Sequence, residues 1–239
     1  MLIQWNRKRM NISIDSLFAN SWCLTISNEK YRNFIRRLKA AARTELVLPR
    51  PLYGIKSSKE SIQQIFGKKA IPDIRCLFVT AEHYFLVRMA KELKLPFVAI
   101  FEDDASPHKM LLEKLNYYLT DIPEDLDCLR LGYSRTIDRF AKEKAISIDS
   151  RFMQRNVYGS HSYIVFSKYY DSFLAIDDPL CLIDDLRINP YSGHKIFLTK
   201  EPLFIQWDSL EDKEKIHAVK EKWYYDRYSS EIVPSNYIA

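Results

Sequence analysis

The chain has 239 residues, 47% of them apolar and 28% charged, which supplies a substantial core and rules out a disordered composition. Lys and Arg number 36 against 31 Asp and Glu, a net charge of +5 that suits an anionic substrate or membrane surface and is too small to argue for nucleic acid. No apolar run reaches membrane-spanning length, the stretch around Arg7, Lys8 and Arg9 lacks a signal-peptide core, and Cys23, Cys76, Cys128 and Cys181 are too far apart for a zinc motif or disulfide frame. The expected location is cytoplasmic, with peripheral contact at the inner membrane as an option.

In chain order, residues 22–26 read as a buried strand, and Ser27 and Asn28 offer N-caps to a helix carrying Tyr31, Phe34, Ile35 and Leu38 on one face. A short strand is expected at 46–48, then a helix at 61–66, with Ser57 and Glu60 at capping-box spacing and Gly67 as a stop. Residues 75–93 keep apolar positions at helical spacing until Pro96. Phe97, Val98, Ala99, Ile100 and Phe101 then form a run expected of a strand buried on both faces, and it ends on Glu102, Asp103 and Asp104.

Ser106 and Pro107 predict a helix start running to about Leu119, and 128–131 a strand closed by Gly132. A charged, weakly patterned stretch covers 135–155. A strand at 163–166, a helix at 168–174, a short helical or irregular piece at 182–188 and late strands at 196–198 and 203–205 follow. The alternation predicts an α/β fold, a mostly parallel central sheet with helices on both faces. A single domain is expected over 1–210, with 211–239 as a helical tail. That tail bears Lys213, Lys215, Lys220 and Lys222 beside Trp223, Tyr224, Tyr225 and Tyr228, and either packs on the domain or meets anionic lipid.

Three consecutive carboxylates at the end of a buried strand are costly, through mutual repulsion and desolvation. A divalent ion offsets that cost, and open α/β sheets bind ligands at the carboxyl ends of their strands. Hard oxygen ligands suit Mg or Mn, which can hold a diphosphate. The plainer alternative is that Asp103 and Asp104 cap the helix after them. His161, next to Gly159 and Ser160, fits either a metal or phosphate ligand or a structural hydrogen-bonding group. Asp184 and Asp185 fit either a general base or the solvated face of a short helix. Tyr133, Tyr158 and Trp207 are candidate lining for a sugar groove.

Several segments together resemble glycosyltransferase family 25. The stretch from Arg75 to His83, followed by Ile100, Phe101, Glu102, Asp103 and Asp104, is similar to the family's helix and its strand ending in Leu-Glu-Asp-Asp. Leu129, Arg130, Leu131 and Gly132 match a strand ending in Leu-Gly; Gly159, Ser160, His161, Ser162 and Tyr163 match a Gly-Thr-His-Ala-Tyr stretch. Ile183, Asp184 and Asp185 echo a Val-Asp motif, and Pro202, Leu203 and Gln206 a closing Pro-Leu-x-x-Gln. The order, over roughly 21–206, is more specific than any single motif. At the family's Asp-Arg-Arg the chain departs, with Ser27, Asn28 and Glu29 in its place.

The resemblance implies a GT-A-like nucleotide-sugar-binding fold and an inverting hexosyltransferase in bacterial lipopolysaccharide or capsule biosynthesis. It would use a donor, UDP-linked by expectation, a saccharide or lipid-linked saccharide acceptor, and Mn or Mg. Glu102, Asp103, Ser27 and His161 would meet the donor; Asp104, Asp103 and His161 would hold the metal; Asp185 or Asp184 would be the base. The competing expectations are a metal-dependent phosphoryl-transfer or nuclease-like enzyme and a catalytically degenerate glycan-binding domain.

Overall fold

A computed structural model describes residues 8–54, 74–133, 145–157, 159–175, 188, 193–206 and 236–238. The helix expected at 61–66, Tyr158, Asp184, Asp185, Trp207 and the tail at 211–227 lie outside the described residues.

Strand β1 (Arg9–Met10) and helix α1 (Ile14–Ala19) precede β2 (Ser21–Thr25), α2 (Asn28–Ala42) and β3 (Arg50–Tyr53). Then come α3 (Ile74–Glu92), β4 (Phe97–Glu102), β5 (Ala105–Pro107), α4 (Leu111–Leu119), β6 (Ile122–Pro123) and β7 (Cys128–Arg130). The remaining elements are β8 (Ile146–Ser147), β9 (Phe152–Gln154), β10 (Ser162–Phe166), α5 (Tyr170–Leu174), β11 (Ile196–Thr199) and β12 (Phe204–Gln206). No helix among the described residues is long and apolar enough to cross a membrane.

An eight-stranded sheet, in the order β3-β2-β4-β10-β7-β11-β9-β8, forms the centre. The pairs β2–β3, β2–β4 and β7–β11 are parallel, whereas β10 runs antiparallel to both β4 and β7, and β9 antiparallel to β11 and β8. The sheet is therefore mixed rather than mostly parallel. Strand direction was hidden because β10 is buried on both faces and so carries the same unbroken apolar run as a parallel strand. Its side chains alternate between two cores: Ile164 and Phe166 lie in one, Tyr163 and Val165 in the other. β4 divides likewise, with Phe97, Ala99 and Phe101 opposite Val98 and Ile100. Helices α1, α2 and α4 cover the first face through Phe18, Phe34, Leu38 and Leu115, and α3 and α5 the second through Leu86, Val87 and Phe173.

Two local expectations fail for reasons of backbone chemistry. The strand expected at 46–48 instead forms at β3, where Pro51 is tolerated because β3 is an edge strand and the missing N–H faces away from β2. Ser106 and Pro107 do not open a helix; they lie in β5, which pairs antiparallel with β12, and the helix begins only at Leu111. Within the stretch taken as weakly patterned, β9 buries Phe152 and Met153. Residues 236–238 dock beside β5, with the Ile238 amide donating to the Pro107 carbonyl at 3.0 Å and the Tyr237 hydroxyl to the Pro202 carbonyl at 2.7 Å.

Phe101 is fully buried where the sheet, α1, α2 and β12 meet, its ring centroid 6.1 Å from Phe18, 5.8 Å from Phe34 and 5.1 Å from Phe204. Phe101→Ala should cost roughly 3–5 kcal/mol in urea unfolding, as a lower midpoint at unchanged slope.

Candidate functional site

The chain leaves β2 toward β3 on one side, while β4 lies on the other, so the carboxyl ends of β2 and β4 lie at a reversal of strand order, the place where open α/β sheets form a ligand crevice. Ser27 caps α2 at this edge, its hydroxyl accepting from the Lys30 amide at 3.2 Å. Thr25, the last residue of β2, donates its hydroxyl to Asp103 Oδ2 at 2.7 Å, and the Ile26 amide reaches the same oxygen at 3.3 Å. The Asp103 amide donates to the Leu24 carbonyl at 2.9 Å. Asp103 is thereby fastened across the crevice to the loop between β2 and α2, and does not cap the following helix.

Glu102 turns toward the opposite face. Its Oε1 accepts from Ser160 Oγ at 2.5 Å and lies 3.3 Å from His83 Nε2; its side chain is 18% exposed. His83 is fully buried on α3, and its Nδ1 lies 2.6 Å from the Tyr163 hydroxyl of β10. A proton on Nε2 toward the carboxylate leaves Nδ1 to accept from Tyr163, which fixes the ring. Burial pushes the Glu102 carboxyl pKa up, but His83 and then Ser160 outweigh it and hold the value below the ordinary one. Glu82, also buried, packs against Gly54 after β3, where a Cβ would come within 2.9 Å of its Oε1.

Asp104 takes a third direction, its Oδ2 accepting from Gln206 Nε2 of β12 at 2.9 Å. Arg37 of α2 donates to the Asp103 carbonyl at 2.6 Å, and burial lowers its pKa against the opposing pull of Asp104 and Asp103. The same two carboxylates lie near Cys23, whose thiol is pushed well up, first by burial and then by their charge. It is an inert core thiol.

His161 is fully buried, with Nε2 3.2 Å from the Phe204 carbonyl. Its main-chain carbonyl accepts from the Glu102 amide at 3.0 Å. Gly132 makes room for the ring, since a Cβ there would sit 2.7 Å from Nε2. The loop before it is held by Arg130, fully buried, which donates to the Val157 carbonyl at 2.9 Å and also to that of Gly159. Tyr133 is buried, its hydroxyl donating to the Lys200 carbonyl at 3.0 Å, so it lines no groove.

Of the residues singled out by sequence, Ser27, Glu102, Asp103, Asp104 and His161 therefore meet at one edge. Thr25, Arg37, His83, Ser160, Tyr163 and Gln206 join them as partners. Arg37 has a readable signal, a cation beside Phe34 and Leu38 on the apolar face of α2. Thr25 has none.

Among the described residues no group of three or more His, Cys, Asp or Glu side chains is placed to hold a metal ion. The donor set is instead a pair of adjacent, partly exposed carboxylates, Asp103 and Asp104. Each is oriented by a different partner, Asp103 by Thr25 and Asp104 by Gln206.

No family model matches the chain, and no curated protein matches it. Among solved structures it is similar to the crystal structure of A197 from STIV, at 11% identity and a TM-score of 0.39, over 79% of this chain and 93% of that one. At that similarity the function rests on the chemistry of the site.

Burial of His161 lowers its pKa from 6.5 to about 4, with Glu102 opposing the shift. Between those values the unfolded chain binds a proton that the folded chain does not. Stability should therefore fall as pH drops from about 6.5 to about 4, by up to roughly 3 kcal/mol. The Glu102 carboxyl, with its lowered pKa, adds a loss of the same sign at still lower pH. Urea unfolding across this range should show the fall in wild type and a shallower slope in His161→Gln.

Proposed function

We propose that the protein is a metal-dependent glycosyltransferase that moves a hexose from a nucleotide sugar to a saccharide acceptor in bacterial surface-glycan biosynthesis. The observation that carries this reading is convergence. The segments that resemble family 25, at His83, Glu102 to Asp104, Gly132, Gly159 to His161 and Gln206, are far apart in sequence and gather at the carboxyl edge of β2 and β4. On this reading the mixed sheet is GT-A-like, the donor is UDP-linked, and the acceptor is a saccharide or a lipid-linked saccharide. On the same reading the location is cytoplasmic, with peripheral contact at the inner membrane as an option.

Asp104 and Asp103 would hold Mg or Mn, which supplies charge neutralisation for the departing diphosphate. Glu102, kept ionised by His83 and Ser160, is an acceptor suited to hydroxyl groups of the donor. The first turn of α2, capped by Ser27, lies at the same edge, where the positive end of a helix dipole complements phosphate charge. In the reaction the acceptor oxygen bonds to the anomeric carbon as the bond from that carbon to the diphosphate breaks, and the acceptor proton passes to a carboxylate base. By resemblance that base is Asp185 or Asp184, and attack opposite the leaving group makes the enzyme inverting.

Turnover of UDP-hexoses and GDP-hexoses with Mn or with a chelator tests the reading. Nucleoside diphosphate release should require the metal, and Asp104→Asn should lower kcat by roughly a hundredfold or more, the scale of several kcal/mol of lost charge stabilisation. Turnover that is indifferent to metal and to Asp104→Asn, or the absence of turnover with every donor, overturns it.

A further inference from the structure

Helix α2 carries a second feature that the crevice does not use. Arg32, Arg36 and Lys39 are exposed and fall at i, i+4 and i+7, which stacks them in one stripe. They rim a shallow cleft of about 350 Å³ whose floor is Tyr31, Ile35 and Leu48. The floor is fixed by the Tyr31 hydroxyl, which donates to the Pro49 carbonyl at 2.8 Å. Beside it Val47 is exposed.

Among the described residues no acid pairs with any of the three cations. Cations four apart on a helix repel, and the helix dipole accounts only for those near its C-terminus, Lys39 and the capping Arg43. Arg32 lies just past the first turn and Arg36 mid-helix, so the three cations leave a stripe of unneutralised positive charge beside the cleft, complementary to an anionic surface.

We propose that this stripe and cleft dock the protein on an anionic lipid bilayer, with the cations on headgroup phosphates, the exposed Val47 entering the headgroup layer, and the cleft over Tyr31 and Leu48 receiving apolar lipid groups. A polyanion such as RNA would use the charges but leave the aromatic and aliphatic floor without a role, whereas the interface of a bilayer takes both. Docking itself does not depend on the transferase reading. If that reading holds, the capped end of α2 at Ser27 would set the crevice beside the membrane, where a lipid-linked acceptor resides.

Flotation of the full chain with phosphatidylcholine vesicles, and with vesicles containing about one quarter phosphatidylglycerol, tests this without turnover. The protein should float with the anionic vesicles only, and less as salt rises. Replacing Arg32, Arg36 and Lys39 together by Gln should weaken the binding by about a hundredfold, Val47→Ser by roughly fivefold, and Lys109→Gln not at all, with melting temperatures preserved. Equal binding to neutral vesicles, binding that survives the triple Gln variant, or stripe-dependent binding to an RNA oligomer with none to vesicles each overturns the proposal.

Discussion

Strand β4 lies between β2 and β10 with both faces buried, and it ends on three carboxylates in succession. Placed side by side on an apolar strand, those charges repel one another and lose much of their hydration. The fold separates them. Glu102 goes to His83 and Ser160, Asp103 to Thr25 and the Ile26 amide, and Asp104 to Gln206, while Arg37 brings a positive charge within reach of the last two. Those partners come from α3, the loop before β10, β2, β12 and α2, so the end of β4 ties together both helical layers, the main sheet and the β5–β12 ribbon.

This dispersal shapes what the site can do. A cluster closed by its own ligands would be a cage for a structural ion; here each carboxylate is oriented from a different side, and Asp103 and Asp104 stay partly exposed at the crevice. On the proposed reading, that exposed pair would share an ion with substrate phosphates. His83 and Tyr163 form a buried support that orients Glu102 from behind, and Arg130 holds the backbone that presents Ser160 to it from the side. The proposed donor site is thus built on strands and a buried helix, the rigid kind of platform on which positioning of reacting groups depends.

Much of this was legible in the sequence wherever a local rule had no competitor. The five apolar residues of β4 between Pro96 and the acids read as a doubly buried strand, and the Ser27 cap with Phe34, Ile35 and Leu38 fixed α2. Ser106 and Pro107 misled because the same pair that opens helices also suits a strand that needs few backbone donors, and only pairing with β12 decides between them. Pro51 hid β3 until its edge position was known. The direction of β10 left no local mark, since burial on both faces erases the alternation that separates antiparallel strands from parallel ones. In the site, His83, Ser160 and Gln206 were visible as members of ordered motifs, but their pairings with Glu102 and Asp104 span long stretches of chain and arise only from the packing.

The central claim, that the carboxyl edge of β2 and β4 holds a metal and a nucleoside diphosphate, is tested most directly by paramagnetic broadening of amide resonances with Mn and UDP added together. Resonances of residues 25–27, 102–105 and 160–161 should broaden, and those of β8, at the far edge of the sheet, should not. Broadening centred elsewhere, or unchanged when Asp103 and Asp104 are both replaced by Asn, would contradict the claim.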